Sequence, residues 1–192
     1  MSMEETDWIE QVLQGNAAAY ENLVGKYQGR LVAFLWNLLG SGDDARDAAQ
    51  DAFIHAYVKL GQFDRARSFR SWLFAIAYNR GIDLLRKKRS FRRFWLRESA
   101  SGAPSAPGSF AGAVEESPLL RSLLRRVTPQ ERSVLALKFI EGCGAEEIAS
   151  TLGCSESTVR VHLLNARRKL KKELHAAGFE AGSTRPNAEE VP

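Results

Sequence analysis

Cysteine is scarce in this chain of 192 residues, with only Cys143 and Cys154. Two are too few for a disulfide framework, and they lack the Cys-x-x-Cys spacing of a redox or zinc site. Both are expected to be buried or half-buried small side chains. Long apolar runs are missing as well. None approaches the roughly 18 residues that a membrane span needs, and no charged-then-apolar leader opens the chain, so a soluble, cytoplasmic protein is expected. Histidine is sparse and scattered: His55, His162 and His175 stand apart, none in the spacing of a nucleophilic, metal-binding or acid–base site. The expectation is therefore no enzyme, no metal, no cofactor and no small-molecule ligand.

What the chain does have is charge, and it is unevenly placed. The formal net charge is +4, yet residues 1–58 hold 3 Lys or Arg against 9 Asp or Glu, while residues 59–97 hold 12 against 2. A polyanion is repelled by the first stretch and held by the second, so the acidic part suits a protein partner and the basic part nucleic acid. The segment SFRSWLFAIAYNRGIDLLRKKR, residues 68–89, carries the basic character. Trp72, Leu73, Ile76, Ala77 and Leu84 recur at helical spacing and are expected to face inward, leaving Arg70, Arg80, Arg86, Lys87, Lys88 and Arg89 solvated. Such cations neutralise phosphates and release counterions without regard to sequence.

Residues 1–97 read as helical throughout. Asn16 is the expected N-cap of a helix whose inward positions are Tyr20, Leu23, Val24, Tyr27, Leu31, Leu35 and Leu38, stopping at Gly40. A second helix is predicted from about Asp43 to Leu60, with Ala45, Ala49, Ala52, Phe53, Ala56, Tyr57 and Leu60 inward. Asp44, Asp47, Gln50 and Asp51 are left toward solvent or a partner. A loop, GQFDRAR, follows and carries one aromatic, Phe63, among charges.

From Ser99 to Ala113 the composition collapses to Ser, Ala, Gly and Pro with Phe110 as the exception, which marks a flexible linker. Pulled out, the twenty or so residues from Arg97 to Glu116 span on the order of 65 Å, so two domains need not touch to act on one ligand. Beyond it, Leu119, Leu120, Leu123, Leu124 and Val127 mark a helix. Thr128-Pro129-Gln130-Glu131 is a capping-box start for the next, with Val134, Leu135, Leu137 and Phe139 expected inward. A short helix with Ile148 and Leu152 inward, the turn Gly153-Cys154-Ser155, and a long helix from Glu156 to Leu174 then complete a helix-turn-helix. The fold class is all-α: two small helical domains, 1–97 and 117–175, joined by a linker at 98–116 and followed by a polar tail at 176–192.

In a helix-turn-helix the start of the second helix meets base edges while the first braces on the backbone. The outward residues are Ser157, Thr158, Arg160, Val161, Leu164 and Asn165, followed by Arg167, Arg168, Lys171 and Lys172 for phosphates. Arg reads guanine and Asn adenine through bidentate bonds, and Val161 or Leu164 suits a thymine methyl.

The fragments DDARDAAQDAFIHAYVKLGQF, FRSWLFAIAYNRGIDLLRKKR, TPQERSVLALKFIEG and EEIASTLGCSESTVRVHLLNARRKL, in this order across a linker, resemble the extracytoplasmic-function subfamily of sigma-70 factors of bacterial RNA polymerase. The resemblance runs from about Trp8 to Leu174. It implies a factor that docks on core RNA polymerase through Asp44, Asp47, Gln50 and Asp51 and directs transcription initiation in a stress or envelope response. It implies minus-ten promoter contacts from Phe63, Arg67, Ser68, Trp72, Asn79, Arg80, Arg86 and Lys87, with the loop 63–68 and Asn79 capturing an unstacked base. It implies minus-thirty-five contacts from Ser157, Thr158, Arg160, Val161, Leu164, Asn165, Arg168 and Lys172. A membrane-linked anti-sigma factor is the implied regulator, since no cysteine-rich C-terminal sensor is seen. Gly144, where a Ser cap is common in the family, and His162 and Asn165, where Arg is frequent, leave the minus-thirty-five preference open. The competing reading from the residues is a stand-alone helix-turn-helix regulator that dimerises through its N-terminal helices.

Overall fold

A computed structural model describes residues 3–98, 123 and 126–178; among these residues there are helices and no strand. The first half holds α1 (Met3–Leu13), α2 (Ala19–Leu39), α3 (Gly42–Lys59), a short 3-10 turn at Leu60–Gln62 and α4 (Phe69–Glu98). The second half holds α5 (Pro129–Leu135), α6 (Ala145–Leu152) and α7 (Glu156–Ala176). The linker expected at 98–116 lies outside the described residues apart from Glu98, and so does the expected tail apart from 176–178.

Helix α2 forms because Leu23, Tyr27, Leu31, Phe34, Leu35 and Leu38 recur every three or four residues and are all buried. It stops at Gly40, whose left-handed backbone (φ 71°) lets its N–H reach the Trp36 carbonyl at 2.8 Å. Its start corrects the expected cap. Asn16 is spent on the preceding helix, its amide donating to Gln11 Oε1 at 3.1 Å, and α2 begins after Ala18 with no side-chain cap.

Helix α3 is capped by Ser41, whose Oγ accepts the Asp44 N–H, and Asp43 and Asp44 in the first turn suit the positive end of the helix dipole. Its inner face is a stripe of alanines at 45, 48, 49, 52 and 56, each at most 2% exposed, with Phe53 beside them. Small residues allow α2 and α4 to approach closely. Tyr57, expected inward, sits at the rim instead, 44% exposed, with its ring edge-on to Tyr20 at 5.0 Å. On α4 the buried line is Phe69, Leu73, Phe74, Ala77 and Tyr78, with Trp72, Ile76 and Leu84 only partly covered. Gly81 lies where α4 crosses α2; a Cβ there would meet Leu38 Cδ2 at 2.4 Å.

In the second half the capping box forms as its sequence predicts. Thr128 Oγ1 accepts the Glu131 N–H at 3.3 Å, and Glu131 Oε2 accepts the Thr128 N–H at 2.8 Å. Helix α5 then runs into a π-helical turn at Ala136–Ile140, closed by the Glu141 N–H on the Ala136 carbonyl at 3.0 Å. Phe139, expected in the core, stands about 200° round the helix from buried Leu137 and is 74% exposed, with Ile140 beside it 64% exposed. Gly153, left-handed at φ 66°, ends α6, and Ser155 Oγ caps α7 through the Thr158 N–H at 3.2 Å.

The two halves touch, although the linker is long enough to keep them apart. Helix α4 packs on α6 and α2 on α5, and Phe74 is buried in the seam with Leu137, Cys143 and Thr151. Burial pushes the Cys143 thiol up to about 11, which keeps it protonated rather than a reactive thiolate.

Candidate nucleic-acid and protein interfaces

The acidic face of α3 separates into two parts. Asp47, Gln50 and Asp51 are exposed, whereas Asp44 is half-buried and paired with Lys88 on α4. Partial burial by itself would raise the Asp44 carboxyl, but the hydrogen bonds from Lys88 and Ser41 win and hold it below the ordinary value. Asp44 thus fastens α3 to α4, leaving three residues free for a partner. Beside them Gln50 lines a groove of about 550 Å³ with Tyr20, Val24, Phe53, Ile54 and Tyr57. Ile54 is 56% exposed and Val58 74%. Sequence reading missed these two, although they stand one helical turn apart on the side opposite the alanines. An acidic surface interrupted by exposed aliphatic side chains suits a protein better than a polyanion.

The loop before α4 holds a correction. Phe63, expected to stack on a base, is 7% exposed, its ring 5.0 Å from Trp72 and 5.7 Å from Phe69. The aromatic cluster removes more apolar area from water than a solvent-facing ring could, so Phe63 supports the loop from beneath. Ser68 is half-buried and caps α4, its Oγ accepting the Ser71 N–H at 3.4 Å. Arg67 is exposed and donates to Ser150 Oγ in the other half at 2.5 Å.

Trp72, expected to face inward, lines a groove of about 360 Å³ with Asn79, His55, Lys59, Ile76, Arg80 and Asp83. Asn79 and Arg80 are exposed, and Arg80 Nη2 lies 3.1 Å from His55 Nδ1. Loss of hydration, then the charges of Lys59 and Arg80, hold the His55 imidazole below its ordinary value. The groove thus offers an aromatic edge, an amide and a guanidinium, with Lys59 and Arg80 outnumbering the one carboxylate of its lining, Asp83, which fits a nucleobase and its phosphate. Arg86 and Lys87 continue the exposed basic face, Arg86 pairing loosely with Asp83 at 3.3 Å.

On α7, Ser157, Arg160, Val161, Leu164, Arg168 and Lys172 are exposed at helical spacing, so they share one side of the helix; Thr158 and Asn165 are half-buried among them. Ser157 Oγ and Thr158 Oγ1 both lie within 2.8 Å of Ser155 Oγ, forming a hydroxyl cluster at the helix start. Arg160 pairs with Glu156 at 3.0 Å, and Arg168 donates to Asn165 Oδ1 at 3.4 Å. Leu164, 66% exposed, also lines an apolar groove of about 890 Å³ with Leu135, Phe139, Leu163, Leu170 and Leu174. That groove was hidden from sequence reading because its walls, Leu135 to Phe139 and Leu163 to His175, come from parts distant in the chain. Among the described residues no group of His, Cys, Asp and Glu is arranged to hold a metal, and no helix is long and apolar enough to cross a membrane.

Comparison with known proteins adds to this geometry. The family model for Sigma-70 region 2 matches residues 23–91, and that for Sigma-70, region 4 matches residues 118–170. The RNA polymerase sigma-H factor of Pseudomonas aeruginosa is 32% identical over 184 residues, which cover 90% of this chain and 95% of that protein. The ECF RNA polymerase sigma factor SigW of Bacillus subtilis is 29% identical over 178 residues, covering 86% and 94%. Among solved structures, CnrH in complex with the cytosolic domain of CnrY aligns with a TM-score of 0.66 at 28% identity, over 90% of this chain and 98% of that one.

Proposed function

The chain belongs to the extracytoplasmic-function group of the sigma-70 family and is a sigma factor that directs promoter-specific transcription; we propose that its oppositely charged halves divide that work. Asp47, Gln50 and Asp51, with Ile54 and Val58 beside them, dock on core RNA polymerase. The groove of Trp72, Asn79 and Arg80, with Arg67, Ser68, Arg86 and Lys87 along the same basic segment, takes the opened minus-ten strand, Phe63 bracing the loop rather than touching the base. The start of α7 enters the major groove at the minus-thirty-five element with Ser157, Thr158, Arg160, Val161, Leu164 and Asn165, while Arg168 and Lys172 hold phosphates. The units 1–97 and 117–175 serve these separate tasks, in the cytoplasm and with no catalytic step of their own. CnrH is held by the cytosolic domain of CnrY, which supports a membrane-linked anti-sigma partner here also.

The observation that carries this reading is the separation of an exposed acidic and aliphatic face on α3 from an exposed cationic face on α4. It favours a polymerase subunit over a stand-alone regulator, which has no use for an acidic docking face. The test is capture of core polymerase by the full chain carrying Asp47→Arg with Asp51→Arg, followed by run-off transcription. Core affinity is expected to fall at least tenfold while helicity, read by circular dichroism, is retained. Unchanged core affinity in a folded variant would remove the docking assignment.

A further inference from the structure

His55 and Lys59 stand one turn apart on α3, and together they form one wall of the groove whose other wall is Trp72, Ile76, Asn79 and Arg80 of α4. The two walls touch at a single polar contact. Arg80 Nη2 lies 3.1 Å from His55 Nδ1. A guanidinium has only hydrogens to give, so Nδ1 must accept with its lone pair, and the imidazole is neutral with its proton on Nε2. The surroundings favour that form. Loss of hydration, with the charges of Lys59 and Arg80 behind it, opposes a further cation at this point. The carboxylates in the neighbourhood do little to offset them: Asp83 on α4 is paired with Arg86 at 3.3 Å, and Asp51 stands a turn back along α3, exposed on the acidic face.

A phosphate entering the groove reverses each of these conditions. It draws the Arg80 guanidinium to itself and releases Nδ1, and its negative charge offsets Lys59 and Arg80. A protonated ring then has an N–H at Nδ1 to donate to the same phosphate, a charge-assisted bond that the neutral ring cannot make there. We propose that His55 is a further binding residue for the minus-ten strand, one that takes a proton from solvent as a backbone phosphate of that strand displaces it from Arg80. The proposal rests on the minus-ten reading of this groove. In the free chain His55 holds Arg80 in place; in the complex it becomes a second cation beside it. The sign of the linkage follows. The imidazole binds its proton more tightly with phosphate present, so affinity for the strand rises as the pH falls through the bound-state value and levels off below the free-state one. One proton limits the gain to about tenfold per pH unit.

The test uses reconstituted holoenzyme and a fluorescent single strand carrying the minus-ten region of a promoter that the wild-type holoenzyme opens. Affinities are read by anisotropy at about pH 6 and about pH 8 at constant ionic strength. The acid gain should be several-fold larger for the wild type than for His55→Gln, which keeps an acceptor for Arg80 but does not titrate; comparing the two cancels the titration of polymerase and bases. His55→Lys, charged throughout, should bind at the higher pH about as tightly as the wild type at the lower. Calorimetry in two buffers of different ionisation heat should show more proton uptake by the wild type than by His55→Gln. Equal pH profiles and equal proton uptake in these two proteins, with helicity retained, overturn the role of His55. An Arg80→Ala holoenzyme that binds the strand as tightly as the wild type at both pH values overturns the minus-ten reading itself.

Discussion

Replacing Arg160 by alanine removes the guanidinium best placed to read a base at the start of α7. In the free protein it pairs with Glu156 one helical turn away at 3.0 Å, with the two side chains 72% and 45% exposed. An exposed pair of this spacing contributes about 0.3–0.5 kcal/mol, so leaving Glu156 for a base costs little. A bidentate Arg contact to guanine is worth about 1–3 kcal/mol of discrimination. The difference is between about 0.5 and 2.7 kcal/mol, roughly a 2- to 100-fold loss of affinity for the preferred minus-thirty-five sequence. Glu156→Gln should act in the opposite sense. It frees the guanidinium and removes a carboxylate that repels phosphate, so binding tightens a few-fold while the preferred base stays the same. Lys172→Ala should weaken all sequences alike. The assay is selection from a promoter library randomised in the minus-thirty-five element by reconstituted holoenzyme, with affinities by competition. An Arg160→Ala holoenzyme that selects the wild-type consensus would refute the reasoning, and Val161 and Leu164 would become the readers.

Two further outcomes concern stability. Gly81→Ala forces a Cβ against Leu38 and Leu35 of α2, an overpacking cost of about 1–3 kcal/mol, offset by about 0.5–1 kcal/mol of helix propensity; urea unfolding should show net destabilisation, and a neutral or stabilised variant would contradict the close crossing. Glu131, 3% exposed, is held below the ordinary carboxyl value because Lys169 and the Thr128 N–H outweigh the desolvation that would raise it. A depressed folded value means its contribution is complete above the unfolded value of about 4.3 and is lost as the pH falls through the folded one. Glu131→Gln should therefore cost stability at neutral pH, with the gap to wild type closing in acid; a gap that widens in acid would reverse the sign.

The local signals in the sequence were the ones written in one or two residues of backbone chemistry. Gly40 as a stop, Thr128 with Glu131 as a box, and Gly153-Cys154-Ser155 as a turn all depend on positive φ or a cap within a few residues, so they need no knowledge of the rest of the fold. Failures arose where distant parts decide. Phe63 reads as a solvent-facing aromatic among charges until Phe69 and Trp72 close over it. Phe139 is the exception: at about 100° per residue it falls across the helix from buried Val134 and Leu137, so helical phase alone places it outside. Arg30, Arg67 and Arg70 are indistinguishable from solvated cations until Glu141, Glu147 and Ser150 arrive from across the linker. Charge asymmetry, by contrast, survives folding intact, because exposed groups keep the sign they carry in the chain. That is why the acidic and basic faces were legible and the seam between the halves was not.

The alanine stripe of α3 gives that helix two independent vocabularies. On its inner side every position from Ala45 to Ala56 is dimensioned to the neighbouring helices, and an added methylene has nowhere to go. Across the helix, Asp47, Gln50, Asp51, Ile54 and Val58 are exposed on the side away from the alanines. On the docking reading proposed above, exchanging those outer letters alone would address this factor to a different polymerase, as one changes the bitting of a key while keeping its blank.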